Sequence, residues 1–193
     1  MMTNDSAKVS YYINDDFYRE VLDGMKDWEN ETGYASLEIQ DEIERFLIRE
    51  SRLLDQGRLE DWLNLFSSEC LYWIPITPGG GNPLKEVSTA FDDRRRLEDR
   101  IFRLRTGYAW SQIPPSRTIR VIGNVEAWQD GGDDELRVRA NFILSELRSG
   151  KQKMYSGWCG YRLKKENGEW KIIVKQVHLI DSDQGHENLT FII

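Results

Sequence analysis

Between residues 117 and 180 the chain offers four long runs of strand character, RTIRVIGNVEAW, ELRVRANFILSEL, QKMYSGWCGYRLK and WKIIVKQVHLI, separated by short segments that contain DGGD, RSG and ENGE. Short Gly, Asn and Asp turns between β-rich runs join antiparallel neighbours, so these residues predict a meander. Alternation is clearest in ELRVRANFIL, where Leu136, Val138, Ala140, Phe142 and Leu144 share one face. Gly123 inside the first run predicts a bulge where the sheet bends. Few folds accommodate such a meander at the end of a chain whose first half has a different period.

That first half is mostly helical. Residues 37–54 place Ile43, Phe46, Leu47, Ile48, Leu53 and Leu54 on an amphipathic helix with Gly57 as its stop, and a short helix follows from Leu59 to Phe66. The pattern then turns to strand in CLYWIPI, breaks in the loop TPGGGNPLKE, and resumes as a short strand in EVSTAF. DDRRRLEDRIFRLRTG is a helix with acids in its first turn, Leu97, Ile101 and Leu104 inward, and Gly107 past its end. Helices first and a strand meander afterwards predict an α+β domain, helices packed on a curved antiparallel sheet, over residues 37–193. Residues 1–36 read as a partly helical N-terminal extension. Its stripe of Phe17, Val21, Met25 and Trp28 fits either a docking arm or a helix packed on its own domain.

Composition excludes several functions. A net charge of -7 argues against nucleic acid, and no stretch nears the roughly 20 apolar residues of a membrane span. The N-terminus lacks a signal-peptide pattern, so a cytoplasmic protein is expected. The only cysteines, Cys70 and Cys159, sit in strand-like, ring-rich surroundings and read as buried thiols. Gly79, Gly80 and Gly81 lack the lysine and hydroxyl residue of a phosphate loop. Two histidines without metal-ligand spacing leave no expected metal, cofactor or catalytic residue in this chain. His178 and Asp181 could form a base with its orienting carboxylate, although a histidine hydrogen-bonded at a strand end or at an interface is the favoured reading. His186 reads as a loop residue.

Charge is unevenly spread. Residues 1–35 hold eight acids and three bases, whereas residues 91–120 hold four acids and eight arginines. At the end of that basic stretch stands WSQIPPSRTIRVIGNV, in which Pro114 and Pro115 stiffen the approach to a strand. Arg117 and Arg120 have opposite parity, so an unbulged strand directs one to each face. One arginine then serves an interface and the other the fold.

The stretch EIERFLIRESRLLDQGRLEDWLNLFSSECLYWIPI, the run RRLEDRIFRLRTGYAWSQIPPSRTIRVIGNV and the closing DSDQGHENLTFII together resemble the small (beta) subunit of bacterial aromatic-ring-hydroxylating dioxygenases, from about Ile39 onward. The resemblance implies a cone-shaped fold like those of nuclear transport factor two and scytalone dehydratase. It also implies a hetero-hexamer in which three such subunits form a trimer with three large (alpha) subunits. The large subunit would carry the Rieske [2Fe-2S] centre and the mononuclear Fe(II), and the assembly would convert an aromatic compound to a cis-dihydrodiol with O2 and electrons from NAD(P)H. Two cysteines and two histidines are too few for both iron centres, so the expected role is non-catalytic. Tyr72, Trp73, Tyr108 and Trp110, with Arg117, Thr118 and Arg120, are the expected subunit-interface residues, because Arg, Trp and Tyr dominate interface energetics. The competing readings are a free-standing dehydratase or isomerase of the same fold, working through His178, Asp181 and a pocket tyrosine, and a homo-oligomeric binding module.

Overall fold

The computed structural model describes residues 15–24, 28, 33–82, 85–130, 132, 134–185 and 189–193. Met25 and His186, both singled out above, lie outside them. Four helices, α1 (Asp15–Gly24), α2 (Leu37–Asp55), α3 (Leu59–Leu63) and α4 (Arg94–Thr106), accompany strands β1 (Phe66–Pro75), β2 (Ser88–Asp93), β3 (Arg117–Gln129), β4 (Glu135–Arg148), β5 (Lys151–Glu166) and β6 (Glu169–Leu179).

Local chemistry sets the boundaries. The Ser36 side chain accepts a hydrogen bond from the Ile39 amide at 3.3 Å and caps α2, and the Asp93 carboxylate does the same for the Arg96 amide at 2.8 Å ahead of α4. Gly107 follows α4 at φ 77°, the left-handed position where a side chain would be strained. Two hairpins turn on pairs with positive φ, Ser149–Gly150 and Asn167–Gly168, whose twist matches that of the strands they join.

The strands form one sheet in the order β2-β1-β6-β5-β4-β3. The meander β3 to β6 is antiparallel as expected, but β1 lies parallel to β6, so the sheet is mixed. Turn residues report only pairings between consecutive strands, and β1 reaches β6 through a long-range contact that leaves no local signature. Near Gly123 the register between β3 and β4 slips by one residue before Glu126, and Asn124 takes the positive φ of 51°. The slip reverses facing: Thr118, Arg120 and Ile122 lie on the same sheet face as Ala127 rather than Trp128.

One face of the sheet carries the main core. Ile43 and Leu47 of α2, Trp62 of α3 and Leu97 of α4 close on Leu136, Val138, Leu144, Leu163 and Ile172. The opposite face has a smaller core in which Phe17 and Val21 of α1 cover Leu71, Trp73 and Val174. Glu20 of α1 accepts a 2.7 Å bond from buried Arg162, and the Trp28 ring rests on the backbone of Gly160, where a Cβ would lie 2.7 Å from it. The acidic N-terminal helix therefore packs on its own sheet.

Candidate functional site: a closed interior and an adhesive exterior

The interior under the helices is where a catalytic pocket would lie. At its centre Glu50, 1% exposed, accepts hydrogen bonds from Lys175 Nζ at 2.7 Å, Trp62 Nε1 at 2.9 Å and the Tyr161 hydroxyl at 2.9 Å. Helix α2 places Glu50 opposite β5 and β6, where Tyr161 and Lys175 are paired in register. Lys175 also lies 5.7 Å from the Tyr161 ring centroid and 5.9 Å from that of Trp62. The network is satisfied within itself, and breaking such a buried pair costs about 3–5 kcal/mol. Burial first, then the neighbouring Cys159 and Glu50, hold the Tyr161 hydroxyl well above its usual range, so it does not titrate near neutral pH.

Tyr72 closes another part of the interior. Its hydroxyl donates to the Ile193 carbonyl and accepts from the Ile193 amide, both at 3.1 Å, and Phe191, Ile192 and Ile193 are buried in the same core. Burial pushes the Cys70 thiol up to about 12 and Cys159 to about 11, which opposes the thiolate form an iron–sulfur centre requires. His178 lies on the opposite face of the sheet from Cys159. These residues do not fit a Rieske centre. Among the described residues no three His, Cys, Asp or Glu side chains converge as metal ligands.

His178 stacks on Trp158 with centroids 3.8 Å apart and planes 9° apart, while the Arg139 guanidinium sits 4.7 Å from the Trp158 centroid. Burial, then Arg139, lower the imidazole to about 4, so it is neutral at physiological pH. Its Nε2 has no hydrogen-bond partner among the described residues, and the base-and-orienter pair with Asp181 is not formed there.

The expected interface residues separate into two groups. Tyr72 and Trp73 are corrections: both are 1% exposed, Tyr72 held by Ile193 and Trp73 donating to the Ser88 hydroxyl at 2.8 Å. Large rings in a strand serve cores as readily as interfaces, and here helices cover both faces of β1. Arg120 is also interior. Its side chain is 4% exposed and pairs with Asp55 and the Ile192 carbonyl, while its amide donates to Asp55 at 2.8 Å. Thr118 donates to the same carboxylate at 2.8 Å. Arg117, by contrast, is exposed.

Trp110 and Tyr108 remain outside. Trp110 opens a single 3₁₀ turn and is 81% exposed, and Tyr108 stacks on exposed Phe102 at 6.4 Å. Ile113 is also exposed, and the segment after α4 is anchored by buried Gln112, which donates to Thr190 at 2.8 Å and accepts from the Ser116 amide at 3.0 Å. The Ile113–Pro114 peptide bond is cis.

Sequence reasoning missed a second patch. Ile119 and Val121 of β3, Ile143 of β4, Met154 of β5 and Ile180 are all at least half exposed. They share one sheet face, since Val121 pairs with Ile143, Ile143 with Ser156, and Ile119 with Ser145, itself opposite Met154. The signal was present: RTIRVI carries apolar residues at both parities, which a strand with one wet face does not need.

The interior is organised around the Glu50–Lys175 pair, and large apolar side chains stand exposed in two regions outside it, the kind of surface that marks contact with another protein. Comparison with known proteins identifies the family. The family profile described as "Ring hydroxylating beta subunit" matches residues 49–183, and the chain belongs to that family. It is 29% identical over 163 residues to the small oxygenase component of the p-cumate 2,3-dioxygenase system of Pseudomonas putida, covering 83% of this chain and 90% of that protein. It is 31% identical over 144 residues to the benzoate 1,2-dioxygenase subunit beta of Acinetobacter baylyi, covering 72% and 85%. The crystal structure of the benzoate 1,2-dioxygenase beta subunit of Burkholderia mallei superposes with a TM-score of 0.65 at 28% identity, over 83% of this chain and 100% of that one. A putative scytalone dehydratase of Novosphingobium aromaticivorans shares the fold alone, with a TM-score of 0.54 at 16% identity over 71% and 80%.

Proposed function

We propose that the chain is the assembly-forming beta subunit of an aromatic-ring-hydroxylating dioxygenase in which three copies form a trimer bound to three large subunits. The large subunits would hold the Rieske and mononuclear iron centres and convert an aromatic compound to a cis-dihydrodiol with O2 and NAD(P)H-derived electrons. The observation that carries this reading is the pairing of a buried polar centre satisfied within the chain, Glu50 with Lys175, with apolar surface left open outside. The exposed rings Phe102, Tyr108 and Trp110, with Arg117 nearby in sequence, have the ring and guanidinium chemistry of an interface hot spot. The relatives named for p-cumate and benzoate oxidation support an aromatic substrate without choosing one.

Co-expression with a large subunit bearing CxH and CxxH motifs is the test. The expected product is a complex of both chains that gives ring dihydroxylation when supplied with a reductase, whereas the small subunit alone gives none. Failure of the two chains to co-purify, or hydratase or isomerase turnover by the small subunit alone, would overturn the reading.

A further inference from the structure

Residues 189–193 belong to no helix or strand, yet Phe191, Ile192 and Ile193 are buried. Without a ladder, the backbone polar groups of a buried segment need other partners, and side chains supply them here. The Arg120 guanidinium donates to the Ile192 carbonyl, and the Tyr72 hydroxyl bonds both the amide and the carbonyl of Ile193. The segment is a strap laid into the interior and tied at separate points. A cavity of about 240 Å³ borders it, lined by Phe191 and Ile192 together with Leu54, Leu59 and Leu104. Incomplete packing and the lack of a shared ladder put the strap among the elements that open locally before the sheet does.

Two routes lead from the strap to the segment that carries Tyr108, Trp110 and Ile113. Along the first, the Thr190 hydroxyl accepts from Gln112 Nε2 at 2.8 Å, and the oxygen of the same side chain accepts from the Ser116 amide at 3.0 Å. Along the second, the Phe191 ring meets Tyr155 edge-on at 5.6 Å and the Tyr155 hydroxyl donates to Glu146 at 3.1 Å. The Ser116 hydroxyl donates to the other oxygen of that carboxylate. Gln112 and Glu146 are both buried, so a lost partner leaves a polar group unpaired. The backbone of the segment adds the bonds of a single 3₁₀ turn, from the Gln112 amide to Ala109 at 2.7 Å and from the Ile113 amide to Trp110 at 3.2 Å. One such turn does not hold its shape unaided.

We infer that residues 189–193 are a conformational strap: seated in the interior they hold residues 108–116 in the shape that docks the large subunit, and unseated they release it. The identity of the partner rests on the function proposed above; the mechanical link does not. A chain whose strap is not seated presents no docking surface, so assembly selects folded copies.

Amide hydrogen exchange on the full chain reads the link without a partner. Thr190→Val keeps the shape of the side chain and removes the acceptor for Gln112, and Phe191→Leu keeps an apolar group and removes the ring that meets Tyr155. Each is expected to speed exchange at the Gln112, Ile113 and Ser116 amides by about tenfold, the equivalent of one buried hydrogen bond lost, with far smaller changes along the β4–β5 ladder. If Phe191→Leu does not fold, Thr190→Val decides alone. Co-expressed with the large subunit, the same variants should give a severalfold lower yield of complex than the unaltered chain. Unchanged exchange at those three amides, or faster exchange with an undiminished yield of complex, would each overturn the inference. If the unaltered chain itself does not co-purify, the assembly reading falls, and the exchange rates still decide whether the strap holds the segment.

Discussion

His178 keeps a neutral ring pressed between β6 and the Trp158 indole, with Arg139 as the charged group on the far side of that stack. Its folded value of about 4 lies below the ordinary 6.5, so the unfolded chain takes up a proton that the folded chain refuses. The stabilisation is complete above pH 6.5 and is lost as pH falls from 6.5 towards 4, amounting to roughly 3 kcal/mol across that window. Urea unfolding at pH 7 and pH 4.5 should therefore show a fall in stability that His178→Phe reduces, and equal falls in the two proteins would refute the linkage. The divergent fates of Arg117 and Arg120 were legible from strand parity alone. The partner of Arg120 was not, because Asp55 ends a distant helix and only the folded chain brings them together. Tyr72 and Trp73 show the same limit: residue type marks a ring as valuable, and only the covering helices decide where it is used.

At the scale of elements, α4 is legible because its ends are chemically marked. Asp93 caps its first turn and Gly107 ends it, so Asp93→Ala should cost about 1 kcal/mol, seen as a lower thermal midpoint with native circular dichroism at room temperature. No change in midpoint would show that the cap is dispensable. The hairpins of the meander are equally legible, since Ser149–Gly150 and Asn167–Gly168 encode their turns in adjacent residues. The parallel β1–β6 pairing is the counterexample, formed between strands nearly a whole domain apart in sequence. The bulge after Gly123 lies between these cases: glycine marked the place, yet the strained conformation falls on Asn124, and the resulting change of facing moves Ala127 into the core. Alternation read straight through that strand would misplace every residue beyond it.

At the scale of the molecule, the sheet has one face divided between a covered half under α1 and an open half bearing Ile119, Val121, Ile143, Met154 and Ile180. If the open half joins copies of the chain, Val121→Lys should lower the mass measured by light scattering from that of a trimer to that of a monomer, with the circular dichroism spectrum retained. A trimer that survives the substitution would place the contact elsewhere. Another route to self-association is strand addition along β3, one of the two edge strands of the sheet. That margin is already occupied from within the chain: the Asp55 carboxylate accepts the Arg120 amide, Ala35 donates to the Ala127 carbonyl, and Gln129 donates to Gly33. An incoming strand finds its hydrogen-bonding positions taken at both ends of β3. Helix α2 and the segment that leads into it thus act as a hem on this edge, closing one of the sheet's two margins to open-ended, amyloid-like growth.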